Sequence, residues 1–157
     1  MDKKLVVNAL ALALLMLGTL GSGYAQSKSL AACSNRLITG NYGFTLQGDK
    51  LGGQGFTGPQ VGVAMTTFDG KGGLTQIDTV TVSGEVVADF THSPATGTYT
   101  VNSDCTGTFT INFTDGRPPI TANFVVVAGG LEIDTVVTSA GGSQGIIATG
   151  SIGKRRF

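Results

Sequence analysis

Residue types that carry much of protein catalysis and metal binding are scarce in this 157-residue chain. It contains no tryptophan, one histidine (His92) and two cysteines, Cys33 and Cys105. A structural zinc site needs four Cys, His or carboxylate ligands at suitable spacing, and the sequence offers no such set. We therefore expect neither a metal site nor a metal cofactor.

Charge is also scarce, and it is balanced. Charged residues make up 13% of the chain, and the formal net charge at pH 7 is zero. No basic stripe is present, so the sequence lacks the electrostatic footprint of a protein that binds nucleic acid. Nucleic acid is therefore not an expected partner.

The N-terminus has the pattern of a secretory signal peptide. Two lysines precede an almost continuous apolar run over 5–20, and Gly23-Tyr24-Ala25 fits the small-x-small cleavage rule. This predicts a signal peptide over 1–25 and a single domain over 26–157, with no transmembrane segment after cleavage. The expected location is the periplasm or the extracellular space.

Cys33 has two competing interpretations. It ends the run Leu-Ala-Ala-Cys, which resembles a lipoprotein cleavage box and would place a lipid anchor on Cys33. Alternatively, Cys33 pairs with Cys105, as expected in an oxidising compartment. Four residues separate the box from the apolar leader, and a cleavage site after Ala25 already exists, which favours the disulfide. Closing a loop of this length stabilises a fold by roughly 2–4 kcal/mol.

The rest of the chain lacks helical periodicity and is rich in glycine and threonine. Short runs with period-two alternation, separated by Gly or Asp-Gly turns, predict strands. We expect them at 36–46, 62–68, 74–83, 85–90, 96–101, 105–113, 120–127, 131–138 and 145–152, with a Gly-rich loop over 47–60. Strands of this number and spacing predict an all-β fold: a single antiparallel barrel of about eight strands, with a β-sandwich as the alternative.

The clearest alternation runs from Cys105 to Phe113. Phe109, Ile111 and Phe113 share one face with Cys105, and three threonines and an asparagine occupy the other. If the apolar face lines a barrel, these three side chains are the first candidates to contact an apolar ligand.

Glu132 and Asp134 are the polar candidates. They alternate with Leu131 and Ile133, so the two carboxylates share one strand face. Inside a barrel they would need a bound ligand or cation, or would act as an acid–base pair. Facing water, they would only make the strand surface polar. The second interpretation is favoured, but the pair stays among the candidate ligand-binding residues.

Three apparent catalytic or nucleotide-binding features lack their structural context. The G-x-G-x-x-G run over 53–58 precedes Pro59 and a strand instead of a helix. The G-x-S-x-G run around Ser143 precedes a β-like segment, and a hydrolase elbow requires a helix there. His92 lies in a polar stretch before a proline, as is typical of an exposed loop. No catalytic residue and no cofactor follow from these features.

Four segments carry a resemblance to a known group of proteins. They are 40–44 (GNYGF), 68–74 (FDGKGGL), 97–108 (GTYTVNSDCTGT) and 124–130 (FVVVAGG). Together they resemble a family of small exported bacterial β-proteins of no assigned function. In that family a cysteine near the mature N-terminus accompanies the Asp-Cys-x-Gly cysteine, which implies the Cys33–Cys105 disulfide.

At the level of fold, the pattern is similar to the allene oxide cyclase and dirigent barrels, and more loosely to lipocalins. That resemblance implies an apolar small molecule in the lumen or at its mouth. No cyclase motif carries over, and the lipocalin Gly-x-Trp signature is missing. The first functional expectation is therefore an exported barrel that binds a small apolar ligand. The alternatives are a surface or structural protein with a Thr- and Gly-rich exterior, and an isomerase or cyclase with carboxylates inside the barrel.

Overall fold

The computed structural model describes residues 32–92, 94–140 and 145–157. The predicted signal peptide and Ser143 lie outside these ranges. Two short 3-10 helices (Asn35–Ile38 and Ala128–Gly130) and nine strands occur within them. The strands are β1 (Gly40–Lys50), β2 (Gly58–Phe68), β3 (Gly73–Val82), β4 (Glu85–Ala88), β5 (Ala95–Val101), β6 (Thr106–Phe113), β7 (Ile120–Val127), β8 (Glu132–Ala140) and β9 (Ile147–Arg155). None of the helices in the described part of the chain has the length and apolarity to cross a membrane.

Eight of the strands form one closed antiparallel barrel. Their order around it is β2-β1-β9-β8-β7-β6-β5-β3, and the pairing of β2 with β3 closes the ring. Strand β4 lies outside this ring and pairs only with the last residues of β3. The predicted antiparallel barrel is therefore confirmed, and the sandwich alternative is wrong. Closure removes the exposed edges that threonine- and valine-rich strands would otherwise present.

The period-two pattern decides which side chains enter the barrel. On β6, Gly107, Phe109 and Ile111 are buried, and Thr106 and Thr108 are exposed. This matches the alternation of the sequence, because successive side chains of a strand point to opposite faces of the sheet. The apolar set of β6 therefore faces the interior.

The first two strands differ from their expected bounds. Asn35–Ile38 forms a 3-10 helix, so β1 begins at Gly40 and continues to Lys50. Strand β2 already begins at Gly58, which reduces the expected loop over 47–60 to residues 51–57. The sequence does not indicate this extension, because its glycines interrupt the alternation of polar and apolar side chains. Backbone pairing between the two strands, in continuous register to Lys50 and Gly58, holds the segment in the sheet.

One end of the barrel is closed by the first 3-10 helix and an aromatic cluster. Ile38 is fully buried, and the ring of Phe68 contacts the rings of Tyr42 and Tyr99 edge to face. The Tyr42 hydroxyl donates a hydrogen bond to the carbonyl of Gly130. Burial of this phenol raises the pKa of Tyr42 above its usual value. This end of the barrel is thus packed and closed.

The disulfide fastens the N-terminal segment to the same end. Cys33 and Cys105 are bonded, with their Cα atoms 5.0 Å apart, which lies within the range that a disulfide spans. The Cys33 amide also donates to the carbonyl of Ser103 at 3.2 Å. The predicted pairing is confirmed.

Candidate ligand-binding site

The opposite end of the barrel contains a cavity of about 420 Å³. Phe68 of the aromatic cluster lies at its inner end with Phe44, whose ring centroid is 6.5 Å from that of Tyr42. Lys50, Phe56 and Val86 line it where the barrel opens, and the last two are more than half exposed. The barrel interior is therefore packed at one end and hollow at the other.

Strand β6 provides an apolar wall of the cavity. Phe109, Ile111 and Phe113, which the sequence singled out, all line it. The ring of Phe109 stacks on Phe124 of β7 with the centroids 5.9 Å apart, which fixes the orientation of the wall. The guanidinium of Arg117 lies 4.0 Å from the ring centroid of Phe113, near the opening.

A polar band runs along the interior face of β2 and β3. The Thr66 hydroxyl donates to Gln76 Oε1 at 2.9 Å, and Gln76 Nε2 donates to Asp78 Oδ2 at 3.2 Å. Asp78 is a buried carboxylate on the cavity wall, only 5% exposed. Because buried polar groups require hydrogen bonds, this chain of donors stabilises Asp78 in place.

Two further side chains on the wall, Gln60 and Thr149, each have a buried polar atom without such a hydrogen bond among the described residues. Gln60 is 8% exposed and Thr149 is 2% exposed. Gln60 Oε1 and Thr149 Oγ1 have no hydrogen-bond partner among residues 32–92, 94–140 and 145–157. A buried polar atom without a partner costs about 1–3 kcal/mol. Both side chains line the cavity, so a ligand in the cavity can supply the missing bonds.

Gln60 and Thr149 lie on the two sides of Gly48. Gly48 pairs in register with Gln60 on β2 and with Thr149 on β9. A Cβ atom added at Gly48 would overlap the β9 backbone at the carbonyl oxygen of Ala148, and would lie 2.7 Å from Thr149 Oγ1. The absence of a side chain at Gly48 thus lets β9 approach closely and leaves the space beside the Thr149 hydroxyl free.

The carboxylate pair that the sequence suggested is not at the cavity. Glu132 lies 3.7 Å from the ammonium of Lys154 on the outer face of β8 and β9. Asp134 lies in a shallow outer groove with Thr108 and Asn123. Ile133, between the two acids, is the residue of this stretch that enters the core. The structure therefore separates Glu132 and Asp134 from Phe109, Ile111 and Phe113.

Sequence reasoning did not single out the interior polar residues. The pattern of β3 contained a usable signal for two of them. Gln76 and Asp78 have the same parity as the buried Leu74, Val80 and Val82, so one inward face would hold them all. For Gln60 and Thr149 the neighbouring glycines left no comparable alternation.

His92 and Asp89 are not among the residues that line the cavity. His92 is 81% exposed, and its Nδ1 lies 2.9 Å from Asp89 Oδ1. The Thr91 hydroxyl and the His92 imidazole hold the pKa of Asp89 well below its usual range. Within the described ranges, no three His, Cys, Asp or Glu side chains come close enough to hold a metal ion.

The chain was compared with known proteins, and the functional conclusion below is based on the geometry of the cavity. No family model, no curated protein and no solved structure matches the chain.

Proposed function

We propose that this protein binds a small, mainly apolar molecule inside its barrel. The observation that carries the proposal is the cavity of about 420 Å³, open at one end of a barrel that is packed at the other. Ligand sites typically have volumes of about 300–1,000 Å³, apolar linings and a few polar groups that orient the ligand. An eight-stranded barrel has enough interior for side chains alone or for one small ligand.

The lining supports an apolar ligand. Phe109, Ile111 and Phe113 form a continuous apolar wall, and Leu46 and Val137 extend it around the interior. Burial of a ligand against this surface contributes roughly 25 cal/mol per Å² of apolar area removed from water. The wall supplies affinity, and the few polar side chains on β2 and β3 supply orientation.

The proposed site of action is outside the cytoplasm. The disulfide between Cys33 and Cys105 is compatible with an oxidising compartment, and the leader over 1–25 has the pattern of a cleaved signal. Mass spectrometry of the exported protein tests this. We expect a chain that begins at Gln26 and carries an intact disulfide; a chain that keeps residues 1–25 would contradict export, and a lipid adduct on Cys33 would contradict the disulfide.

The binding proposal is tested with a neutral fluorescent probe, N-phenyl-1-naphthylamine. We expect the purified domain to bind it and the variant Val137→Trp to lose this binding, because the larger ring fills the cavity next to Ala122. The matched control is Val136→Trp. Val136 is the adjacent residue of β8, lies on the outer face and is 52% exposed.

The comparison between Val136→Trp and Val137→Trp tests whether the probe binds inside the barrel. Retention of binding in Val136→Trp, with loss in Val137→Trp, supports a site inside the barrel. Equal loss in both variants would place the probe elsewhere, and no binding by the wild-type protein would contradict the proposal. Thermal unfolding of each variant, measured in parallel, establishes that the domain is folded.

A further inference from the structure

We infer that the ligand presents a hydroxyl group to Gln60 and Thr149. This inference rests on the proposed binding function and specifies the chemical class of the ligand: an apolar molecule with an alcohol or phenol group. It is carried by two buried polar atoms, Gln60 Oε1 and Thr149 Oγ1, that line the cavity and lack partners in the described part of the chain.

Gln60 and Thr149 lie at the same level of the barrel. Gln60 and Thr149 are both in register with Gly48, so their Cα atoms are two strand spacings, about 10 Å, apart. We call the three residues in register, Gln60, Gly48 and Thr149, the Gly48 row. The side chains of Gln60 and Thr149 both extend from it into the interior. Gly48 carries no side chain, and a Cβ atom there would lie 2.7 Å from Thr149 Oγ1, so the space between the threonine hydroxyl and the β2 side is not filled by residue 48. A single ligand group between Gln60 and Thr149 can reach both.

A hydroxyl is the small neutral group whose chemistry fits both partners. It donates one hydrogen bond, as the carbonyl oxygen of Gln60 requires, and it accepts one from the Thr149 hydroxyl. The glutamine amide can also turn by half a rotation, and a hydroxyl pairs with either end of it. A ketone or an ether only accepts, so with the amide in the orientation seen in the structure it would leave Gln60 Oε1 without a donor.

A cationic ligand group fits this position less well. A buried ammonium needs a carboxylate beside it. The buried acid of the cavity, Asp78, is four residues along β3 from Val82, the partner of Gln60, which is about 13 Å. Asp78 also accepts a hydrogen bond from Gln76. The Gly48 row is therefore suited to a neutral polar group.

The apolar part of the same ligand has a surface to contact. Around the ring of eight strands, β6 is four strands from β1 in either direction, so it lies on the opposite side of the barrel. Phe109 and Phe113 of β6 line the cavity there. A molecule with its hydroxyl at the Gly48 row can thus place its apolar body against the aromatic wall.

The test compares three probes of one shape: 2-naphthol, 2-methoxynaphthalene and naphthalene. The first donates and accepts, the second only accepts, and the third does neither. By isothermal titration calorimetry, we expect wild-type protein to bind 2-naphthol about tenfold more tightly than either of the others, as one or two satisfied hydrogen bonds would give.

Variants of Gln60 and Thr149 test whether these two residues cause the preference for 2-naphthol. In Thr149→Val and in Gln60→Leu the preference for 2-naphthol is expected to fall below about threefold, with naphthalene affinity retained. Thr149→Ser keeps the hydroxyl and should keep the preference. Thr45→Val is the matched control, because it makes the same change on the exposed outer face of β1.

The outcomes separate this inference from the function on which it rests. Equal affinities of wild-type protein for all three probes would overturn the hydroxyl assignment and leave apolar binding intact; a water molecule held between Gln60 and Thr149 would give that result. A preference that survives in both Thr149→Val and Gln60→Leu would also overturn it. Binding of none of the probes would contradict the proposed function itself.

Discussion

The ring of Phe44 lies over the backbone of Gly153, its in-register neighbour on β9. A Cβ atom at Gly153 would come closer than 3.0 Å to this ring. Phe124 covers Gly107 in the same way across β6 and β7. In both pairs an aromatic side chain occupies the space that the glycine leaves empty. These two buried rings therefore depend on glycines of the neighbouring strands.

We expect Gly153→Ala to destabilise the domain. The added methyl group would displace the Phe44 ring from a packed interior, which typically costs about 1–3 kcal/mol. Urea denaturation measures the change in the free energy of unfolding. Gly150→Ala is the milder comparison on the same strand, because its added Cβ would meet the carbonyl oxygen of Thr135 at 3.2 Å, a tight contact but not the overlap below 3.0 Å that Gly153→Ala creates. Equal stability of the two variants would contradict this role for Gly153.

We expect the double variant Cys33→Ser, Cys105→Ser to lose about 2–5 kcal/mol of stability, as is typical when a native disulfide is removed. The bond joins residues 72 positions apart, so its loss frees a long loop in the unfolded chain. Urea denaturation with and without reductant provides the measurement. Reduction should lower the stability of the wild-type protein and leave that of the double variant unchanged.

The backbone at Cys105 makes a second comparison possible. Cys105 has φ = 70°, a conformation that costs most residues about 1 kcal/mol or more and glycine very little. Cys33→Ser combined with Cys105→Gly should therefore be about 1 kcal/mol more stable than Cys33→Ser with Cys105→Ser. If the serine version proved the more stable, the turn would not be strained at this position.

We expect Thr149→Val to stabilise the ligand-free protein by about 1 kcal/mol, because it replaces a buried hydroxyl without a partner by a methyl group. Thr135→Val is the matched change on the neighbouring strand. There the hydroxyl lies 2.6 Å from Ser151 Oγ, so its removal should destabilise. Thermal unfolding of both variants gives the signs, and a loss of stability in Thr149→Val would show that its hydroxyl already has a partner.

Acid should destabilise the domain partly through Asp69. The Lys71 amide, and after it the amides of Gly73 and Gly72, hold the pKa of Asp69 below its usual value. A lowered pKa in the folded state means that the contribution to stability is complete above the ordinary Asp pKa of about 3.9. It is lost as the pH falls through the folded-state pKa.

The variant Asp69→Asn isolates this contribution. Its amide oxygen can still accept hydrogen bonds in the turn, but the side chain no longer titrates in this range. We therefore expect the melting temperature of Asp69→Asn to fall less than that of the wild-type protein between pH 5 and pH 2. Parallel curves for the two proteins would show that Asp69 does not contribute to acid sensitivity.

Part of the candidate site follows directly from the sequence. Phe109, Ile111 and Phe113 recur every second residue on a strand without glycine between them, and this spacing puts them on one face. They occupy the cavity wall. Gln76 and Asp78 were predictable in principle, because they lie two and four residues after Leu74 on β3 and therefore on the same face of the strand.

Other parts depend on relationships that no single segment contains. The parity of Glu132 and Asp134 puts them on one face but does not say whether that face is inside. Burial of Ile133 in the core places them outside. Similarly, nothing around Gln60 or Thr149 marks either residue as part of a binding site.

By itself the sequence determined that the chain forms short strands, which residues of each strand share a face, and that two cysteines were available to pair. These properties depend on the local geometry of the extended backbone, which repeats every two residues. Only the tertiary structure decided which face turns inward and which residues stand in one row. Closure of β2 on β3 and the pairing of β1 with both β2 and β9 set that register, and so brought Gln60, Gly48 and Thr149 together from distant parts of the chain.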